Sequence, residues 1–218
     1  MVHHLGKADW TDRDRIKSLI ESYSMRYGES FWKELIQLTG EKPRKVIADF
    51  GCGPGIFLVD AAQRFSAKRL FGLDESKEML DMAKSLIQER TAVDSFEMIQ
   101  INFDETDIKL PRNSVDLAFS GYMLHEVSSP QDLVDQVSKT LRPGGQYVVY
   151  DFISGDEETF VKKMAELDIP EELARLRYPH MCKHSIDDLT TFLERAGFQE
   201  IRSAAVNHIR ALVVGVMK

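Results

Sequence analysis

The stretch Val46-Ile47-Ala48-Asp49-Phe50-Gly51-Cys52-Gly53-Pro54-Gly55 decides the fold. A short apolar run ends in the carboxylate of Asp49. A glycine-dense turn follows, and Ile56-Phe57-Leu58-Val59-Asp60-Ala61-Ala62 then opens a helical pattern. Strand, glycine turn and helix in that order make a nucleotide-type pocket at the carboxyl end of a strand. The glycines permit left-handed backbone angles and let a ligand approach the main chain without meeting a side chain. The residues around them narrow the ligand. A dinucleotide site needs G-x-G-x-x-G, with pyrophosphate on the helix N-terminus, but the third glycine position is Ile56. A Walker loop ends in Gly-Lys-Ser/Thr, and no such sequence is present. An acid two residues before Gly51 repels pyrophosphate and suits a ligand that carries an ammonium group.

Further along the chain, Leu70-Phe71-Gly72-Leu73-Asp74-Glu75-Ser76 is followed by Met79-Leu80, and Ile101-Asn102-Phe103-Asp104 comes next. Val115-Asp116-Leu117-Ala118-Phe119-Ser120 runs into Gly121-Tyr122-Met123-Leu124-His125, and Leu141-Arg142-Pro143-Gly144-Gly145 precedes another apolar run. With the Asp49 segment, these motifs resemble, in order, those of the class I S-adenosylmethionine (SAM)-dependent methyltransferases. The resemblance covers residues 45 to about 153. It implies an α/β fold: a Rossmann-like three-layer αβα sandwich on a seven-stranded, mostly parallel sheet with its last strand antiparallel, plus an N-terminal helical cap. It also implies SAM as cofactor and a small-molecule methyl acceptor.

Carried onto this sequence, the resemblance assigns Asp49, Gly51, Cys52 and Gly53 to the methionine end of the donor. Asp74, with Glu75 beside it, falls at the ribose hydroxyls. Met79 falls at the adenine face, and Asn102, Phe103 and Asp104 at the adenine edge. Ser120, Gly121 and Tyr122 fall where donor meets acceptor. Each has a plainer reading: a turn-forming acid for Asp49, a strand-end cap for Asp74, core packing for Met79, a loop start at Asn102. His125, with Glu126 beside it, is a candidate general base, since imidazole titrates near neutral pH; the alternative is that it positions the cofactor or packs on the glycine loop. Tyr122 is the second candidate catalytic residue.

The wider pattern agrees with a parallel sheet covered on both faces. Strands are expected at 45–50, 68–73, 96–101, 115–120 and 145–152, and helices at 56–65, 76–90 and 130–141. Such alternation indicates βαβ units. Residues 1–43 read as the N-terminal cap, with Thr11 or Asp12 starting a helix and Gly28 interrupting it. Residues 44–218 read as the methyltransferase domain. Within it, 154–184 form a charged helical insert over the acceptor site. Ser185-Ile186-Asp187-Asp188 is a helix start, and strands near 198–204 and 207–216 close the chain.

Tyr23, Arg26 and Tyr27 share one helical face. They are candidates to close over the donor, with Arg26 near its carboxylate, or to pack as an ordinary amphipathic face. Tyr178 and His180 are candidate acceptor contacts. His180-x-Cys182-x-His184 superficially resembles a metal cluster, but zinc sites normally take four ligands at recognised spacings, and no metal is expected.

Composition limits the remaining possibilities. The 218 residues carry 28 Lys+Arg against 35 Asp+Glu, a net charge of −7. That balance argues against a sequence-independent grip on nucleic acid. Two cysteines, Cys52 and Cys182, give no disulfide framework, which fits a reducing, cytoplasmic setting. No apolar run reaches membrane-spanning length and no leader is recognised. The Asn/Asp-Pro-Pro-Tyr platform of base-amine methyltransferases is replaced by Ser120-Gly121-Tyr122-Met123, which favours small-molecule acceptors over RNA or protein. A SAM-binding regulatory protein that transfers no methyl group is the reading from another class.

Overall fold

In a computed structural model, residues 13–218 are described. The proposed caps Thr11 and Asp12 lie outside them. Seven strands form one sheet in the order β3-β2-β1-β4-β5-β7-β6. They are β1 (Val46–Phe50), β2 (Arg69–Asp74), β3 (Ser95–Gln100), β4 (Val115–Gly121), β5 (Leu141–Phe152), β6 (Phe198–Asn207) and β7 (Arg210–Met217). The first five pair in parallel, and β7 runs antiparallel to both β5 and β6. The chain moves outward from β1 to β3, then returns to lay β4 against the other side of β1. That reversal opens a crevice beyond the carboxyl ends of β1 and β4, where open α/β sheets bind ligands.

Side-chain alternation divides the sheet between two cores. Ile47, Leu70, Leu117 and Val148 face one side, against α3 (Glu29–Thr39), α4 (Ile56–Phe65) and α5 (Lys77–Arg90). Ala48, Phe71, Ala118 and Tyr147 face the other, against α6 (Pro130–Thr140) and α9 (Ile186–Arg195). These two helix layers and the sheet make the expected three-layer sandwich.

Turn chemistry sets most helix ends. Gly55, at φ +78°, caps α4. Pro130 takes the first turn of α6, where a missing N–H is harmless. Ser185 and Asp188 form a reciprocal capping box at the start of α9. The expected N-terminal helix divides into α1 (Arg13–Glu21), the single turn α2 (Tyr23–Arg26) and α3. Within the 1–43 segment, α3 belongs to the main core: Phe31 and Leu35 are fully buried there, and Trp32 stacks on Phe57 with ring centroids 5.6 Å apart.

The strand expected from residue 145 begins at Leu141. The Arg142-Pro143-Gly144-Gly145 turn is absorbed as an irregularity opposite β4, with Gly144 at φ +76°. The 154–184 segment forms α7 (Glu157–Ala165) and α8 (Glu171–Met181). With Phe152 and Ile209 it builds a third, smaller cluster that also touches Tyr122. Among the described residues no helix is long and apolar enough to cross a membrane.

Candidate active site

The glycine turn is tied to the end of β2. Gly51 and Cys52 donate their amides to the carbonyl of Leu73 at 2.8 and 2.9 Å, and Gly53 donates to Asp74 Oδ2 at 2.8 Å. Asp74 Oδ1 accepts the Ser76 amide at 2.9 Å. The turn therefore contributes shape more than spare donors. Gly51 and Gly53 take left-handed angles, at φ +85° and +51°. Gly72 makes room for the buried Cys52 thiol, since a Cβ there would stand 3.0 Å from its sulfur.

Asp49, at the end of β1, is 2% exposed, and its Oδ1 has no hydrogen-bond partner among the described residues. Burial, then the neighbouring Asp74 charge, push its pKa well above the usual carboxylate range. Asp74 is also raised, by burial, against the lowering effect of its amide donors. Two acids thus meet on adjacent strand ends, one with an oxygen that lacks a hydrogen-bond partner among the described residues, an arrangement able to receive positive charge and hydroxyl donors.

The residues expected at the ribose edge and the adenine are held in different ways. Met79 is buried in the first turn of α5, while Glu75 is exposed. Asn102 Oδ1 accepts the Asp104 amide at 3.0 Å, forming a local turn. Phe103 leans on the second core. Asp104 accepts both the amide and the hydroxyl of Ser128, at 2.7 and 3.0 Å, so its carboxylate fastens the loop after β4.

Beyond β4, Tyr122 sits at φ +59°, an uncommon backbone conformation for a non-glycine residue. Its ring lies against Tyr150 and Phe152, with centroids 5.0 Å away in each case, and its hydroxyl accepts from Arg210 at 3.1 Å. The fully buried Ser120 turns its hydroxyl to Tyr147 at 2.8 Å, into the core. Only its main chain is left for the crevice. Gly121 is where the N-terminal helices touch the sheet: a Cβ there would collide with the Tyr27 hydroxyl. Tyr23 stacks on Tyr27 and donates to Asp60 at 2.8 Å. Arg26 lies 5.5 Å from the Tyr122 ring centroid, and its Nε has no partner among the described residues. Tyr23, Arg26 and Tyr27 are thus brought together beside β4.

His125 is 3% exposed, and its Nδ1 lies 2.6 Å from Asp151 Oδ1. Asp151 also accepts the amides of Leu124, His125 and Phe152. Burial depresses the imidazole pKa, but Asp151 and Glu126 outweigh it and raise it to about 9. Glu126 reaches His125 Nε2 at 3.5 Å and His180 Nε2 at 3.2 Å. His180 thus arrives from α8 beside His125. Tyr178 is turned away, bonding to the Gly155 carbonyl and packing on Phe160. His180 is in helix α8 and not in an extended segment, so Cys182 and His184 do not join it. Cys182 is buried in the α7–α8 cluster, and His184 packs edge-on against Phe192.

Asp151, Asp60 and Arg210 join the site without being among the residues expected from the sequence. Asp151 had a readable signal: it is an acid near the carboxyl end of its strand, like Asp49 and Asp74. Asp60 and Arg210 arrive through tertiary packing, with no local motif.

Residues 48–149 match a family model described as a methyltransferase domain. The chain is similar to the 2-phytyl-1,4-naphtoquinone methyltransferase of Trichormus variabilis, with 28% identity over 131 residues, 59% of this chain and 56% of that protein. The match therefore spans little more than half of that relative's length. It is also similar to the carboxy-S-adenosyl-L-methionine synthase of Campylobacter jejuni, with 26% identity over 193 residues, 79% of this chain and 80% of that protein. A solved SAM-dependent methyltransferase from Aquifex aeolicus shares the fold, with a TM-score of 0.71 and 19% identity, over 97% of this chain and 100% of that one. The domain match begins inside β1 and ends inside β5, so the parallel part of this sheet, with its glycine turn and strand-end acids, is the part of the chain that matches a methyltransferase domain.

Proposed function

We propose that this protein transfers a methyl group from SAM to a small-molecule acceptor and releases S-adenosylhomocysteine. The observation that carries the reading is the pair of acids at adjacent strand ends: Asp49, with a buried unpaired oxygen, and Asp74, holding the glycine turn. A cationic amino acid joined to a nucleoside answers both, which a pyrophosphate does not. The residues fit the donor on that ground. When bound, SAM supplies a methyl group already activated by a positive sulfur.

In this reading Asp49 faces the charged methionine end, together with the main chain of Gly51, Cys52, Gly53, Ser120 and Gly121. Asp74 holds the ribose, with Glu75 at its edge. Met79, Asn102 and Phe103 enclose the adenine, and Asp104 holds the loop that closes that side. Arg26 offers its unpaired Nε to the donor carboxylate, and Tyr23 and Tyr27 cover it. Because the leaving group is already activated, no covalent intermediate with the protein is needed. The chain contributes collinear alignment and exclusion of water. Tyr122 and His125 stand on the acceptor side, with His180 contributed by the segment that covers it.

A small acceptor is favoured by the enclosed third cluster, where α7 and α8 lie over Phe152 and Tyr122, and by the net charge of −7. The test is turnover: incubation with SAM and a panel of phenols, quinols, amines and thiols, followed by mass spectrometry of the nucleoside and the acceptor. Formation of S-adenosylhomocysteine with a 14-dalton gain on one acceptor class is expected (roughly one CH₂, as methyl replaces hydrogen). Binding of SAM without turnover on any acceptor, including RNA and peptide, would favour the regulatory reading.

A further inference from the structure

His125, Glu126 and His180 present one ligand atom each, all within 4.8 Å of one another. We propose that these three side chains bind a single divalent transition-metal ion. Two imidazoles and one carboxylate are a donor set suited to zinc, cobalt, iron or manganese more than to magnesium or calcium, which prefer oxygen. Three protein ligands also leave at least one coordination position open, the arrangement of metal sites that bind a further molecule.

Spacing supports the assignment. Bonds of about 2.0–2.2 Å around a tetrahedral ion place neighbouring ligand atoms about 3.3–3.6 Å apart. Glu126 Oε1 lies 3.5 Å from His125 Nε2, and Glu126 Oε2 lies 3.2 Å from His180 Nε2. The three ligand atoms lie within 4.8 Å of one another, so a modest closing of the side chains brings both imidazoles and one Glu126 oxygen onto one ion. The ligands are not helical neighbours by accident: His180 comes from α8, 54 residues beyond Glu126. Packing in the α7–α8 cluster brings it to the loop after β4.

A second layer of contacts gives independent support. Ligating histidines usually donate their other ring N–H to a carboxylate, which fixes the tautomer and aims the ligating nitrogen. Asp151 does this for His125 at 2.6 Å. It is itself held by three main-chain amides and is 1% exposed. Lys183 binds the His125 carbonyl at 2.7 Å, which pins the same residue from the α8 side. The expectation of no metal rested on the His180-x-Cys182-x-His184 spacing. The partners of His180 lie instead in the loop after β4, where no sequence spacing reveals them.

The site stands on ligand geometry and does not require the methyl-transfer reading. Given that reading, Phe152 packs against both the His125 and Tyr122 rings, with centroids 5.8 and 5.0 Å away, and an acceptor offering a hydroxyl or carboxylate oxygen completes the coordination. The test uses the full chain, stripped with a chelator, desalted and loaded with zinc or cobalt. Wild type is compared with Glu126→Gln and His180→Ala in the same N-terminal background, so that His3 and His4 contribute equally. Circular dichroism and S-adenosylhomocysteine binding confirm that each variant is folded. Wild type is expected to keep one zinc per chain through gel filtration, with at least tenfold weaker binding in both variants. The cobalt form is expected to show intense visible absorption that His180→Ala loses. Zinc retention by wild type no greater than by His180→Ala, or a cobalt spectrum like that of the hydrated ion, would overturn the proposal and leave the nucleoside-binding result intact.

Discussion

Asp74 accepts the Gly53 amide at 2.8 Å, and this bond holds the glycine turn of β1 against the end of β2. Both carboxylate oxygens have amide donors, so the acid is fixed before a nucleoside arrives. Hydrogen bonds to a charged group contribute roughly 1.5–3 kcal/mol each. Asp74→Ala should weaken S-adenosylhomocysteine binding by about 10–100-fold, measured by calorimetry. Unchanged affinity would remove Asp74 from the ribose role.

Asp49 gives a pH-dependent prediction with a definite sign. Its native pKa is raised by burial and by Asp74. An acid raised in the fold stabilises the protein below its unfolded pKa, and that contribution is lost as pH rises through the native value. Asp49→Asn should therefore be more stable than wild type at neutral pH in urea denaturation. A cationic donor favours the ionised acid, so SAM affinity should rise as pH climbs through the same interval. Titration in buffers of different ionisation enthalpy should detect proton release on binding in wild type and not in Asp49→Asn. Proton uptake, or an identical signal in the variant, would contradict the assignment.

Gly55 combines two constraints. Its φ is +78°, and a Cβ would stand 2.7 Å from Ala83 Cβ and 2.9 Å from Ala83 Cα on α5. The left-handed angle costs a side-chain residue roughly 1–2 kcal/mol, and overpacking typically adds about 1–3 kcal/mol. Gly55→Ala should lose stability on that combined scale, read from the urea midpoint. By contrast, nothing lies within 4 Å of a Cβ at Gly40, so Gly40→Ala should show only the backbone effect of its φ of +80°.

Asp151 anchors the loop after β4. Removing one partner of a buried charge pair costs about 3–5 kcal/mol. Asp151→Ala should approach that loss, and Asp151→Asn should recover part of it by keeping the shape. If both variants match wild type in denaturation, the acid does not hold His125 in place.

The parts of the molecule that were readable from sequence are those fixed by local chemistry. The glycine turn, Pro130, and the Ser185–Asp188 box each set an element end within a few residues, and α4 occupies the expected 56–65. Apolar runs alternating with helical patterns gave the strands, and the family resemblance implied the direction of the final hairpin. The start of β5 was displaced because the Arg142–Gly145 turn pairs with β4 through an irregularity that composition does not reveal. In the candidate site, acids at strand ends were visible because the sheet alone determines where strand ends meet. The contacts of His180, Arg210 and Asp60 depend on how distant helices and hairpins settle on the sheet. Asp104 fits a strand-end binding residue by position, yet its bonds to Ser128 are set by a loop 24 residues away.

The strand-end acids Asp49 and Asp74 suit the crevice at β1 and β2 to SAM and not to a dinucleotide. Calorimetric titration of the wild-type chain with SAM, S-adenosylhomocysteine and NAD tests it most directly. Saturable binding of the first two at one molecule per chain is expected, with no measurable heat from NAD. Preferential binding of NAD, or failure of both sulfur nucleosides to bind the folded protein, would contradict it.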